Sequence, residues 1–266
     1  MTSRRERSDP LQPIVPSATY RVQLHADFRF SDAMALVPYL AGLGISHLYC
    51  SPFLRARAGS THGYDVVDHD QINPEIGTRA ELDALVATLH GHDMGMLIDL
   101  VPNHMGVLGG DNAWWLDVLE NGRASAYAEY FDIDWHSADP ALTGRVLLPL
   151  LGDQYGIVLE RGELKLSFAP DLGRFTLDYF EHRLPIDPAG YGGLLRRAAA
   201  RLRPRELAST AYEALAALIE RFEQLPPGEG SAAEGMRERQ RDKTLLKQQL
   251  ARQVLAQPPL AREIAA

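Results

Sequence analysis

The stretch GMLIDLVPNHMG, residues 95–106, places a carboxylate, a carboxamide and an imidazole close together: Asp99, Asn103 and His104. Met96–Leu100 otherwise has the apolar character of a core strand, and Pro102 ends it. A carboxylate in such a run costs several kcal/mol unless it is paired or hydrogen-bonded, so Asp99 should meet Asn103, His104 or backbone donors, or be left exposed at a half-open barrel. An amide and an imidazole leaving one strand end can hydrogen-bond a polar ligand. An Asn-His pair after proline is, on its own, more often a plain turn, and a lone buried Asp more often braces backbone. Upstream, GYDVVDHDQINPEIGT (63–78) offers the Tyr64 ring and the Asp65 carboxylate. An isolated tyrosine is usually just half-buried.

Three strands separated by helices are needed to position these groups. ATYRVQL (18–24) has β-forming residues; ISHLYCSP (45–52) is a second strand; the 95–100 run is the third. Between them, Ser31 is the expected N-cap of DAMALVPYLAGLG, which Pro38 makes less regular, and Thr78 with Glu81 forms a capping box for RAELDALVATLHGH. Residues 53–77 have no regular pattern. Strand–helix alternation of this kind is the signature of βαβ units and a parallel sheet. In a barrel built this way the loops after the strands carry chemistry. That assigns the segments after the second and third strands to the functional end. His90-Gly91-His92-Asp93 has metal-like spacing but precedes the third strand, at the opposite end.

Beyond about residue 125 the pattern changes. RVLLPLLG, YGIVLE, GELKLSF and RFTLDYF are short β-like runs, with Arg161-Gly162 at an expected hairpin turn. Helices are expected over 193–203, 205–224 and 234–256, with the Pro/Gly-rich piece 225–235 as a linker. MRERQRDK (236–243) is expected to be a solvated helix face, and of the adjacent Trp114 and Trp115 one should face the core and one the surface. The expected organisation is a tail over 1–16, three βα units over 17–125, a β-rich subdomain over 126–190 and a helical segment over 191–266 that breaks off in mid-helix.

Of 266 residues, 45% are hydrophobic and 23% charged, with a net charge of −8. The acidic balance argues against nucleic acid as a partner. Cys50 is the only cysteine, so no intrachain disulfide forms and a reducing cytoplasm is expected. The basic opening residues lack an apolar signal region, and no apolar run approaches the ~18 residues of a membrane span.

DLVPNH resembles the first conserved region of the α-amylase clan of glycoside hydrolases and transglycosidases, and GYDVVDHDQINPEIGT the segment before it. Together with YRVQL, HLYCSPFLRARAGSTHGYDVVD, NAWWLDVLENG, YFDIDW and LPLLGDQYGIVLERGELKL, these resemble the maltooligosyl trehalose synthase family over roughly residues 17–190. The resemblance implies an α/β fold: the N-terminal part of a (β/α)8 TIM barrel with an inserted β-rich subdomain, followed by helices. It implies an isomerase, an intramolecular transglucosylase that converts the reducing-end α-1,4 bond of a maltooligosaccharide to an α,α-1,1 bond. A trehalose-releasing hydrolase would be its functional partner, with no cofactor, metal, nucleic acid or membrane. Clan chemistry uses a nucleophilic and an acid/base carboxylate, and both are expected after residue 266, leaving the chain alone inactive. Carried over by resemblance, Tyr64 is the platform beneath the sugar at the cleaved bond and His104 binds hydroxyls of that sugar. Asn103 has a plain hydrogen-bonding role, Asp65 contacts terminal hydroxyls, and Asp99 braces the site, usually against an arginine expected after residue 266. An α-glucan hydrolase of the same clan and a non-catalytic glucan-binding chain are the alternatives.

Overall fold

The computed structural model describes residues 15–203, 206–226 and 233–266. Most of the expected tail, Pro204 and most of the 225–235 linker therefore lie outside the described residues. The chain divides into two compact units, one ending at Val107 and the other beginning at Leu108.

The first unit is built on three parallel strands, β1 (Thr19–Val22), β2 (His47–Cys50) and a third, β5 (Gly95–Ile98), in the order β1-β2-β5. Helix α1 (Phe30–Gly42) joins the first two, and α2 (Arg79–Gly91) precedes the third. Leu24, Phe30, Val37, Leu40, Leu48, Cys50, Leu85, Leu89 and Met94 form one buried cluster, so both helices cover the same face of the sheet. Burial pushes the Cys50 thiol up to about 12, which keeps it a neutral packing group. Alternation along the strands turns Arg21 and Tyr49 to the other face, and register sets them level, Arg21 opposite Tyr49 and Tyr49 opposite Leu97. Gly95 faces His47 across the β2–β5 pair, where a Cβ would come within 2.5 Å of the imidazole ring.

Helix α2 starts as its sequence requires. The Thr78 hydroxyl accepts from the Glu81 N–H at 3.3 Å, and the Glu81 carboxylate accepts from the Thr78 N–H at 2.6 Å, which holds that carboxyl below its usual range. Helix α1 starts two residues earlier than expected: Arg29, not Ser31, is the N-cap, and its N–H donates to Asp32 at 2.8 Å. Pro38 sits inside α1 without ending it. The patternless region 53–77 contains an antiparallel pair, β3 (Leu54–Ala56) and β4 (Val66–Ile72), with two register shifts that hid its period from the sequence.

The second unit holds α3 (Ala113–Asn121), α4 (Tyr155–Glu160), an antiparallel sheet in the order β6 (Leu164–Ala169), β7 (Arg174–Tyr179), β8 (His182–Pro185), and then α5 (Tyr191–Arg201), α6 (Ser209–Glu223), α7 (Ala233–Ala256) and α8 (Pro258–Ala265). Of the four β-like runs, two are strands. RVLLPLLG has no regular structure, and YGIVLE is helical, because an apolar run this short carries no distinguishing period. Arg161-Gly162 accordingly ends a helix rather than turning a hairpin, with Gly162 at φ 66°. The final helix begins at Pro258 as a separate element, a position where proline fits a helix start.

The expectation of a solvated face over 236–243 is overturned. Arg239, Lys243 and Lys247, one turn apart along α7, are 1%, 4% and 8% exposed. Lys243 donates to Glu120 at 2.8 Å, Asn121 at 3.0 Å and Asp117 at 3.2 Å, and Lys247 donates to the other Glu120 oxygen. Arg239 reaches Asp187 at 2.6 Å and the Pro226 carbonyl. Burial alone would raise the Glu120 carboxyl, but Lys247 and Lys243 outweigh it and hold the group below its ordinary value. Glu120→Gln leaves two buried ammonium groups facing a neutral amide, so denaturant unfolding should show a loss of about 3 kcal/mol. Because the folded-state carboxyl is depressed, this stabilisation is complete above the unfolded-state value and is lost as pH falls through the folded one. The difference between wild type and variant should therefore shrink in acid. A difference constant over that range would contradict the assignment.

Candidate active site

The C-terminal ends of the parallel strands gather one hydrogen-bonded network. Asp99 stands one residue beyond β5. Its Oδ2 accepts from the Tyr64 hydroxyl at 2.6 Å and from the Tyr49 hydroxyl at 3.0 Å. Arg21 Nη2 donates to the Tyr64 oxygen at 3.2 Å, and the Arg21 guanidinium lies 5.7 Å from the Tyr49 ring centroid. Accepting from Tyr49 stabilises the neutral phenol, so the Tyr49 hydroxyl is raised above its usual range.

One expectation about Asp99 changes. The residue is half-buried, with Ile98 at 52% and Leu100 at 66% exposure beside it, because β5 is an edge strand of its sheet. Its partners are two tyrosine hydroxyls, not Asn103, His104 or backbone donors. Asn103 and His104 are both exposed and bond each other, His104 Nδ1 to Asn103 Oδ1 at 2.9 Å. No hydrogen bond joins that pair to the Tyr64–Asp99 network.

Tyr64 and Asp65 come from the loop between β3 and β4, which is held tightly. Ser60 Oγ donates to Asp65 Oδ1 at 2.5 Å and accepts from the Gly63 N–H at 3.1 Å; the Asp65 carbonyl accepts from the Arg57 N–H at 3.1 Å. Gly63 has φ 78°, and a Cβ there would fall 2.3 Å from the Pro52 carbonyl oxygen, so only glycine makes this corner. Gln23 Nε2 donates to the Thr61 carbonyl at 2.8 Å. Arg21, Gln23 and Tyr49 were not singled out from the sequence. Their signal was available in strand alternation, which puts polar side chains of a core strand on the face away from the helices.

The other candidates resolve as follows. Trp115 is buried against Phe131, while Trp114 is half-buried and stacked on Tyr127 at 5.4 Å. His92 Nδ1 lies 3.0 Å from the Thr88 carbonyl at the end of α2. Among the described residues no group of three or more His, Cys, Asp or Glu is gathered as a metal site, and no helix is long and apolar enough to cross a membrane.

Tyr64 and Asp99 thus meet at the C-terminal end of β5, with Asn103 and His104 exposed a few residues beyond it. The α-amylase catalytic domain matches residues 34–154, and the chain is similar to proteins of the α-amylase clan. Within the clan its similarity runs to the maltooligosyl trehalose synthases. It is 47% identical over 173 residues to the provisionally named maltooligosyl trehalose synthase of Mycobacterium tuberculosis, covering 60% of this chain and 22% of that protein. The solved maltooligosyltrehalose synthase of Arthrobacter ramosus superposes with a TM-score of 0.57 at 43% identity, over 65% of this chain and 21% of that one. The intracellular maltogenic amylase of Bacillus subtilis is more distant, 31% identical over 169 residues, 60% of this chain and 26% of its own length. The chain thus spans about a fifth of the length of the synthases it matches.

Asp99→Asn keeps the shape but removes the charge that holds the Tyr49 proton. A spectrophotometric titration of the folded chain should then show one phenol ionising at lower pH than in wild type, and Tyr49→Phe should abolish the difference. In wild type the raised phenol stabilises the fold below the unfolded-state value, and that contribution is lost as pH climbs through the folded one. An unchanged titration in Asp99→Asn would rule out the bond as the cause.

Proposed function

We propose that the first unit forms part of the sugar-binding face of an intramolecular transglucosylase, which rearranges the reducing-end α-1,4 bond of a maltooligosaccharide to an α,α-1,1 bond. The observation that carries this reading is the Tyr64–Asp99 pair at the strand C-termini, in a chain so similar to trehalose-forming synthases. A pyranose stacked on the Tyr64 ring meets the negative face of an aromatic, which favours the flattened, positively charged sugar of glycosyl transfer. Asp99 and Arg21 hold the hydroxyl end of that ring. Asn103 and His104, exposed beyond β5, are suited to bind sugar hydroxyls, and Asp65 to accept from a terminal hydroxyl.

A rearrangement of this type consumes a reducing end without releasing glucose. The natural consumer of its product is a hydrolase that cuts the α-1,4 bond next to the new terminus, and a cytoplasmic setting suits such a pair. Calorimetric titration of the 266-residue chain with maltopentaose should show binding that Tyr64→Ala weakens about tenfold, the scale of one lost stacking contact. In a longer protein carrying this chain, maltopentaose should lose reducing ends with no matching rise in glucose or maltose. Release of those short sugars instead would favour the α-glucan hydrolase alternative, and absence of binding to the chain would count against the sugar face itself.

A further inference from the structure

We propose that Arg21 is a positioning residue that fixes the direction of the Tyr64 hydroxyl and, through it, the plane of the ring on which sugar stacks. The inference rests on the sugar-platform role proposed above. A guanidinium can only donate hydrogen bonds. With Arg21 Nη2 3.2 Å away, the Tyr64 oxygen must accept on that side, so its own proton is committed to Asp99 Oδ2 at 2.6 Å. The polarity of the network is therefore one-way, from Arg21 through Tyr64 to Asp99. Tyr49 ends on the same Oδ2 and has its ring beside the same guanidinium, so Arg21 touches both phenols that converge on the carboxylate.

A second link comes from just beyond β1. Gln23, the residue after the strand ends, donates to the Thr61 carbonyl at 2.8 Å. Arg21 and Gln23 together hold the 61–64 corner at its terminal hydroxyl and at its backbone, where Gly63 makes the turn. Nothing in the sheet itself requires this arginine. β1 pairs with β2 through backbone bonds, Arg21 is exposed, and the helix-side core is made by Val22 and Leu24. Its removal should loosen the platform while sparing the fold.

The test uses the 266-residue chain with 13C-labelled tyrosine rings, Tyr64→Phe to identify the Tyr64 resonance, and maltopentaose as the probe. Arg21→Gln should shift the Tyr64 ring resonance, leave the melting temperature unchanged and weaken maltopentaose binding about tenfold, the effect of losing one charge-assisted bond. Arg21→Lys, which restores a cationic donor without the planar fork, should recover part of both signals. An unmoved Tyr64 resonance in Arg21→Gln would overturn the proposal. So would binding weakened less than about twofold while Tyr64→Ala still weakens it strongly, or a fall in melting temperature that accounts for the lost binding in both arginine variants. If the wild-type chain binds no maltopentaose, the sugar-platform role fails, and the Tyr64 resonance alone decides whether Arg21 orients the ring.

Discussion

The parallel register of β1, β2 and β5 is the constraint on which the site depends. Parallel strands start and finish together, so whatever follows their last residues is delivered to one end of the sheet. Here Arg21 and Tyr49 are set level by pairing, and Asp99 follows directly after the third strand. A slip of one residue in β2 would turn Tyr49 toward the helices and Leu48 toward the site, exchanging a polar group for a core group on both faces. The helix-side cluster of Leu48, Cys50, Val37 and Leu85 opposes that slip. Hydrophobic burial on one face thus fixes hydrogen-bond geometry on the other.

The two units solve the problem of buried charge in different ways. At the site, one carboxylate is held by neutral hydroxyl donors, with the Arg21 cation one step removed behind Tyr64. In the second unit, three cations of α7 are buried against Asp117, Glu120, Asn121 and Asp187. The second arrangement is costly to break because each partner left behind keeps its charge. The first is cheaper to rearrange, since a tyrosine hydroxyl that loses its acceptor remains neutral and can turn to water. A site that must exchange protein contacts for ligand contacts is better served by the cheaper kind.

Much of the first unit was legible in the sequence because its signals are local. Thr78 and Glu81 lie within one turn and announce α2 by themselves; β2 and β5 are apolar runs closed by proline or by a polar residue. The features that were missed depend on partners distant in the chain. β3 and β4 are short, bulged and polar in part, so neither shows a clean period of two. The burial of Lys243 depends on Glu120, more than a hundred residues away, and a basic helix stretch looks solvated until such a partner is known. YGIVLE was misassigned for the opposite reason, as it is too short for any period to be decisive.

The site shows the same division. Asp99, Asn103 and His104 were found as a group because they are close in sequence, yet only Asp99 enters the hydrogen-bonded network. Tyr64, a loop away, is its shortest partner, and Arg21 and Tyr49 come from two other strands. Nearness along the chain therefore named the right segment and the wrong contacts. Strand alternation selects Tyr49: Asp99 comes off β5 on the face where Tyr49 already stands, and that hydroxyl reaches it before the exposed residues that follow it do, while the Arg21 guanidinium bonds Tyr64. In a sheet whose strands run parallel, a polar residue on the same face of the neighbouring strand, as Tyr49 is, level with Leu97 two residues before Asp99, is a better guess at a carboxylate's partner than the polar residue that comes next in the chain.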